Sequence, residues 1–251
     1  MAFIELIDVH KSFGDNKVLR GINLSIEKGE SLVILGKSGI GKSVTLLVLT
    51  RLLPLDRGKV IINGIDTTDL PEDKLIPIRK KISYVFQSGA LFDSLTVYEN
   101  IAFPMIGEGY DEDEIDKRVF DIMDLLNISE FWDLYPDEIS GGVKKIVSIG
   151  RALAANPDCI LYDEPTTGID PYAAKKLSEV IRRINIDMGI TTILVTHDMR
   201  CAKIVADKIA FLHEGVIYFH GSFGEFVESD LPVLEEFKGS LPYMAKYLKG
   251  G

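Results

Sequence analysis

A chain of 251 residues with 46% hydrophobic content can bury a proper core in one large α/β domain or two small ones. Its formal charge of −10 argues against nucleic acid as the main partner, because gripping a polyanion takes a basic face. No apolar run of about 18 residues occurs, so no membrane-spanning helix is expected.

The start, Met1-Ala2-Phe3-Ile4-Glu5, has neither a basic region nor a long apolar segment, and a signal peptide is not expected. Strands are predicted over 3–9, 18–26 and 31–35, with turns at 13–16 and at Lys28-Gly29. The run Leu32-Val33-Ile34-Leu35 leads into Gly36-Lys37-Ser38-Gly39-Ile40-Gly41-Lys42-Ser43, and a helical stretch over 44–53 follows. The octet fits G-x-x-x-x-G-K-[ST] in the strand–loop–helix setting that a phosphate-binding loop requires. Its glycines let successive N–H groups turn inward, and the helix N-terminus adds partial positive charge. Lys42 can reach the β- and γ-phosphates, while the Ser43 hydroxyl can hold Mg²⁺.

Further along, Val60-Ile61-Ile62 before Asn63-Gly64 reads as a strand entering a tight turn, and 82–86 as another short strand. Ile115, Val119, Ile122 and Leu126 form a helical stripe over 111–126. Its acidic opening, Asp111-Glu112-Asp113-Glu114, suits a solvated first turn and the helix dipole. Ser140-Gly141-Gly142 opens a helix over 144–154. Free N–H groups, a hydroxyl and a dipole make that opening a second anion site, although a plain N-cap would look the same.

Cys159-Ile160-Leu161-Tyr162-Asp163-Glu164 is an apolar strand ending in two carboxylates. Asp163 is placed to hold Mg²⁺ through its water shell, and Glu164 to polarise the water that attacks a γ-phosphate. A helix over 171–188, with Leu177, Val180, Ile181 and Ile184 on its apolar face, separates this strand from one over 192–196. Strand, helix, strand implies a parallel sheet covered by helices. Strands over 208–212 and 216–219 precede a tail, 222–251, expected as short helices docked on the body or on a partner. The tail's apolar residues are Phe226, Val227, Leu234, Phe237, Met244 and Leu248. Cys159 and Cys201 read as small buried hydrophobes. His197 and Cys201 stand four apart on a predicted helix, a metal-compatible spacing with no further ligand cluster beside it.

Together these motifs resemble the ATPase subunits of ABC transporters over nearly the whole chain. The resemblance implies a P-loop NTPase fold: a mixed, largely parallel core sheet, antiparallel N-terminal strands and an inserted helical subdomain at about 88–156, all within 1–221. It implies ATP and Mg²⁺ as cofactors. Gly36, Lys37, Ser38, Gly39, Ile40, Gly41, Lys42, Ser43 and Val44 would surround the phosphates, with Phe13 stacking on adenine. Gln87 resembles the glutamine that senses Mg²⁺ and the attacking water, and His197 the switch histidine on the γ-phosphate. Lys42, Gln87, Glu164 and His197 would be catalytic, and Ser43, Gln87 and Asp163 would serve the metal. Thr167-Gly168-Ile169-Asp170-Pro171 looks like the D-loop, so Asp170 joins the nucleotide set. In such proteins two copies pack head to tail, and Ser140, Gly141 and Gly142 of one would close over the ATP of the other.

Three residues depart from that pattern. Val143 stands where a polar residue is usual, Ile146 where many members carry Arg, and Gly150 where Ala is common. Weaker ribose contact is expected, and a slowly hydrolysing regulatory protein stays open. No heptad run, second motif set or guanine-reading N-K-x-D follows the loop, which counts against DNA-repair, translation-associated and GTPase readings.

Residues 86–104, Phe86-Gln87-Ser88-Gly89-Ala90-Leu91-Phe92 through Asn100-Ile101-Ala102-Phe103-Pro104, are similar in wording to the ATPases of Mla-type, MCE-associated lipid transport systems. That likeness implies an integral-membrane permease docked around 88–104, a periplasmic lipid-binding protein and a small regulatory subunit as partners. The chain would then lie on the cytoplasmic face of the inner membrane, held there by the permease. Polar amino-acid importers share parts of the wording, so that cargo class stays open.

Overall fold

The computed structural model describes residues 2–240. Strands β1 (Ile4–Phe13) and β2 (Asn16–Ile26) form an antiparallel hairpin whose turn carries Gly14 at φ 58°. Strand β3 (Ser31–Leu35) follows, then helix α1 (Lys42–Leu49). Helix α1 ends earlier than the expected residue 53, because Arg51 adopts φ 58°, a left-handed conformation that stops the turn. Strands β4 (Arg57–Ile62) and β5 (Ile65–Asp66) pair across Asn63-Gly64, both at positive φ, the geometry a two-residue hairpin turn demands. With β1 and β2 they complete a four-stranded sheet ordered β2-β1-β4-β5.

Helix α2 (Glu72–Arg79), with Pro77 inside it, leads to β6 (Ile82–Val85), and α3 (Val97–Ala102) and α4 (Glu112–Leu126) come next. Asp111 caps α4 with a reciprocal box to Glu114, so the acidic run is a helix start, as its charge suggested. Helix α5 (Gly141–Ala154), β7 (Cys159–Asp163), α6 (Pro171–Met188), β8 (Thr191–Thr196), α7 (Met199–Val205), β9 (Lys208–His213) and β10 (Val216–Gly221) complete the body. No helix among the described residues is long and apolar enough to cross a membrane.

The second sheet runs β10-β9-β3-β8-β7-β6, with β9, β3, β8, β7 and β6 parallel and β10 antiparallel at one edge. Side chains alternate across its strands. Leu32, Ile34, Leu161, Ile193 and Val195 face α1 and the small sheet; Val33, Leu35, Ile160, Tyr162 and Leu194 face the helices α3 to α7. One sheet thus serves two cores, which is why β3, β7 and β8 read as continuous apolar runs.

Helices α8 (Phe223–Glu228) and α9 (Pro232–Gly239) fold back onto this body. Phe226, Leu234 and Phe237 join the helix-side core, and the Phe237 and Phe226 rings lie 5.0 and 5.8 Å from that of Phe211 on β9. Met244 and Leu248, also assigned to the tail's apolar set, lie outside the described residues.

Candidate functional site

Four neighbouring parallel strands deliver the candidate residues to one edge. The phosphate loop follows β3, His197 follows β8, Asp163 ends β7 and Gln87 lies just past β6. Because the order is β3-β8-β7-β6, all four C-terminal ends open on the same crevice, where open α/β sheets bind ligands. Lys42, Ser43, Gln87, Glu164 and His197 line that cleft together with Ser38, Gly39, Val44 and Val18 of β2.

Two glycines fix the loop's path. A Cβ on Gly36 would lie 2.6 Å from the Leu212 carbonyl oxygen at the end of β9. Gly41 sits at φ 109°, and a Cβ there would meet Val18 Cγ1 at 2.7 Å. Only glycine lets the chain pass both points on its way into α1.

The charged groups converge. Lys42 Nζ donates to the Gly36 and Lys37 carbonyls at 2.9 and 3.0 Å and pairs with Glu164 Oε1 at 3.1 Å. The other Glu164 oxygen bonds His197 Nδ1 at 2.9 Å, and the Thr196 hydroxyl donates to it at 3.3 Å. Glu164 itself is buried at φ 46°, a left-handed backbone rare for such a side chain. Strain of about 1–3 kcal/mol at one residue is the kind found where a side chain must be aimed. Beside it, Ser43 Oγ donates to Asp163 Oδ1 at 2.8 Å. A hydroxyl and a carboxylate oxygen at the mouth of a phosphate loop are hard oxygen donors that suit Mg²⁺, which keeps several waters and takes few protein ligands. Among the described residues no cluster of three His, Cys, Asp or Glu could hold a metal by itself.

Gln87 is exposed beyond β6, and its own carbonyl accepts from Lys145, a buried lysine on α5. Arg151, also on α5, donates to the Ala90 and Gly89 carbonyls at 2.8 and 3.0 Å. So α5 grips the loop after β6. Neither cation was singled out for the site from the sequence, because backbone carbonyls leave no trace in it.

Other expected residues fall outside the cleft lining. Phe13 ends β1, half exposed, with the Lys11 ammonium 5.6 Å from its ring. Asp170 caps α6, accepting from the Tyr172 and Ala173 N–H groups. Ser140 caps α5 and accepts from Val143 N–H at 3.3 Å; with Gly141 it is exposed. Gly142 packs so close to α6 that a Cβ would meet Ala173 Cβ at 3.3 Å. Ile146, in place of the usual Arg, lies half-buried against the helix-side core, and Val143 does the same. The expectation that His197 and Cys201 share one helix is corrected. His197 belongs to the segment before α7, whereas Cys201 is buried inside α7, its thiol pushed up to about 12 by burial.

Residues 19–167 match the ABC transporter family. The chain belongs to that family. A methionine import ATP-binding protein of Rhizobium johnstonii is 38% identical over 87% of this chain and 60% of its own length. That of Carboxydothermus hydrogenoformans is 36% identical over 88% of this chain and 66% of its own. This ABC chain therefore spans somewhat under two thirds of such relatives. The dimeric ABC cassette MJ0796 bound to ADP and Pi superposes with a TM-score of 0.79 at 33% identity, over 88% of this chain and 98% of its own. The cbiO1 component of a Clostridium perfringens ABC transporter complex covers 99% of each chain with a TM-score of 0.85 at 26% identity. The ABC ATPase fold expected from the motifs is the fold observed.

Proposed function

We propose that the chain is the ATP-hydrolysing subunit of an ABC transporter, acting as a head-to-tail pair that drives a membrane permease from the cytoplasmic face. The convergence of Lys42, Ser43, Asp163, Glu164 and His197 on one crevice carries the reading. The family match and the phosphate-bound relative support it.

In this scheme the loop's N–H groups and Lys42 take the phosphates, and Ser43 and Asp163 serve Mg²⁺, which would neutralise charge developing on the phosphoryl oxygens. A γ-phosphate arriving in the loop competes with Glu164 Oε1 for the same ammonium. Glu164 is then released toward the attacking water while His197 and Thr196 keep its other oxygen in place. Base release thus follows phosphate binding, so that the freed carboxylate meets a bound γ-phosphate. Lys42→Ala should abolish phosphate release by the purified chain; turnover at the wild-type rate would remove the assignment.

Relatives named for methionine import support a polar small molecule of the amino-acid class as cargo. The sequence leaves that class open as well. The lipid reading, with its periplasmic lipid carrier, rests on the wording of residues 86–104 and on Val143 followed by Lys144-Lys145, and gives way to it. Uptake of labelled methionine against phospholipid transfer, measured with the co-purified permease, decides between them. An exposed groove lined by Tyr84, Phe86, Phe92, Phe103, Pro104 and Arg151 is the surface offered to that permease.

A further inference from the structure

Asp163 is held from two directions. Ser43 Oγ donates to Oδ1 at 2.8 Å, and the Tyr84 phenol donates to Oδ2 at 2.9 Å. Tyr84 stands on β6, beside β7 in the sheet, with its register partner Leu161 two residues before Asp163. Its ring lies against that of Phe86, tilted by 32° with centroids 4.4 Å apart.

The geometry points to Tyr84 as a positioning residue for the metal, turning the Asp163 carboxylate so that Oδ1 alone faces Ser43 and the Mg²⁺ water shell. This rests on the ATPase reading above. A free carboxylate rotates and offers either oxygen through about four lone-pair directions. Binding Oδ2 from behind removes that freedom before Mg²⁺ arrives. Hydrogen-bond partners of metal-site carboxylates act in this way, and their loss typically weakens metal affinity or activity about 10–100-fold. The phosphate-gripping groups, Lys42 and the loop amides, do not touch Tyr84 in the hydrogen-bond and ion-pair pattern of the site, so its effect should be confined to the metal.

The test is Tyr84→Phe, which deletes one oxygen and keeps the ring against Phe86. A fluorescent ATP analogue is titrated into the full chain in EDTA, and Mg²⁺ is then titrated into the complex. The expected result is unchanged analogue affinity without metal and a Mg²⁺ midpoint about tenfold higher, the lower end of the range for such partners. In an Asp163→Asn background, Tyr84→Phe should shift the midpoint no further. A midpoint within about twofold of wild type, or an equal shift in the Asp163→Asn background, overturns the proposal while leaving the ATPase reading intact. A wild-type chain that binds no analogue at all removes the ATPase reading, and this inference with it.

Discussion

Two helices in this molecule open on glycine-rich turns, and the two openings are surrounded to different degrees. The phosphate loop at α1 is surrounded within its own chain, with Lys42 buried and Ser43, Asp163, Glu164 and His197 at hydrogen-bonding distances around it. Ser140 at α5 has a capping bond, two glycines and an exposed face, and none of residues 140–142 lines the cleft. An anion at the first would meet the Lys42 ammonium as well as the start of α1. At the second it would meet N–H groups and a dipole, and water on the other side. The unfinished site is intelligible if a second copy supplies the rest.

Glu164→Gln is the sharpest way to break that comparison on the finished side. It keeps the shape of the side chain and its place beside Thr196 and His197 while removing the charge. Turnover should fall by about 10²–10³, as for loss of one key polar catalytic group. ATP should be retained, and light scattering with ATP and Mg²⁺ should report a stable dimer. A persistent monomer counts against the pairing. Ser140→Leu attacks the other side: turnover should fall to background while one chain still binds ATP with near-wild-type affinity. If binding disappears as well, Ser140 belongs to the same chain's pocket.

Phe237→Ala tests whether completeness around the loop extends to the tail. Phe237 is 2% exposed against Phe211 and Phe226, and large-to-small changes at such sites cost about 3–5 kcal/mol. Helix α9 also places Glu236 2.6 Å from Lys37 of the phosphate loop. A lower melting temperature with weakened nucleotide binding is expected; an unchanged melting temperature would mean that α8 and α9 dock elsewhere in solution.

How much of this was legible in the sequence follows from how local each feature is. The loop, the Asp163-Glu164 strand end, the Asn63-Gly64 turn and helix α6 with its Pro171 start and Gly189 stop are written in adjacent residues. Their positions could be read without knowing the fold. Tyr84 could not: it is one more apolar-patterned residue in Ile82-Ser83-Tyr84-Val85, and its partner is distant in sequence. Lys145 and Arg151 hydrogen-bond to backbone carbonyls, and α2 contains a proline that argues against a helix. The tail offered two docking choices, because an apolar face states that it will be covered but not by what.

The smallest effect should come from Val143, the departure nearest the unfinished site. Val143 carries the N–H that Ser140 Oγ caps, while its side chain packs against the helix-side core. In the proposed head-to-tail pair, its apolar character removes one hydrogen bond that a polar residue would offer to the partner's ATP. One neutral hydrogen bond contributes about 1 kcal/mol net, or roughly fivefold in an equilibrium. Val143→Gln should therefore lower the KM for ATP by about fivefold or less, leave kcat within about twofold, and lower the melting temperature slightly through lost packing. A large rise in kcat would show instead that Val143 restrains closure itself, and the second helix start would then be held back by more than the absence of its twin.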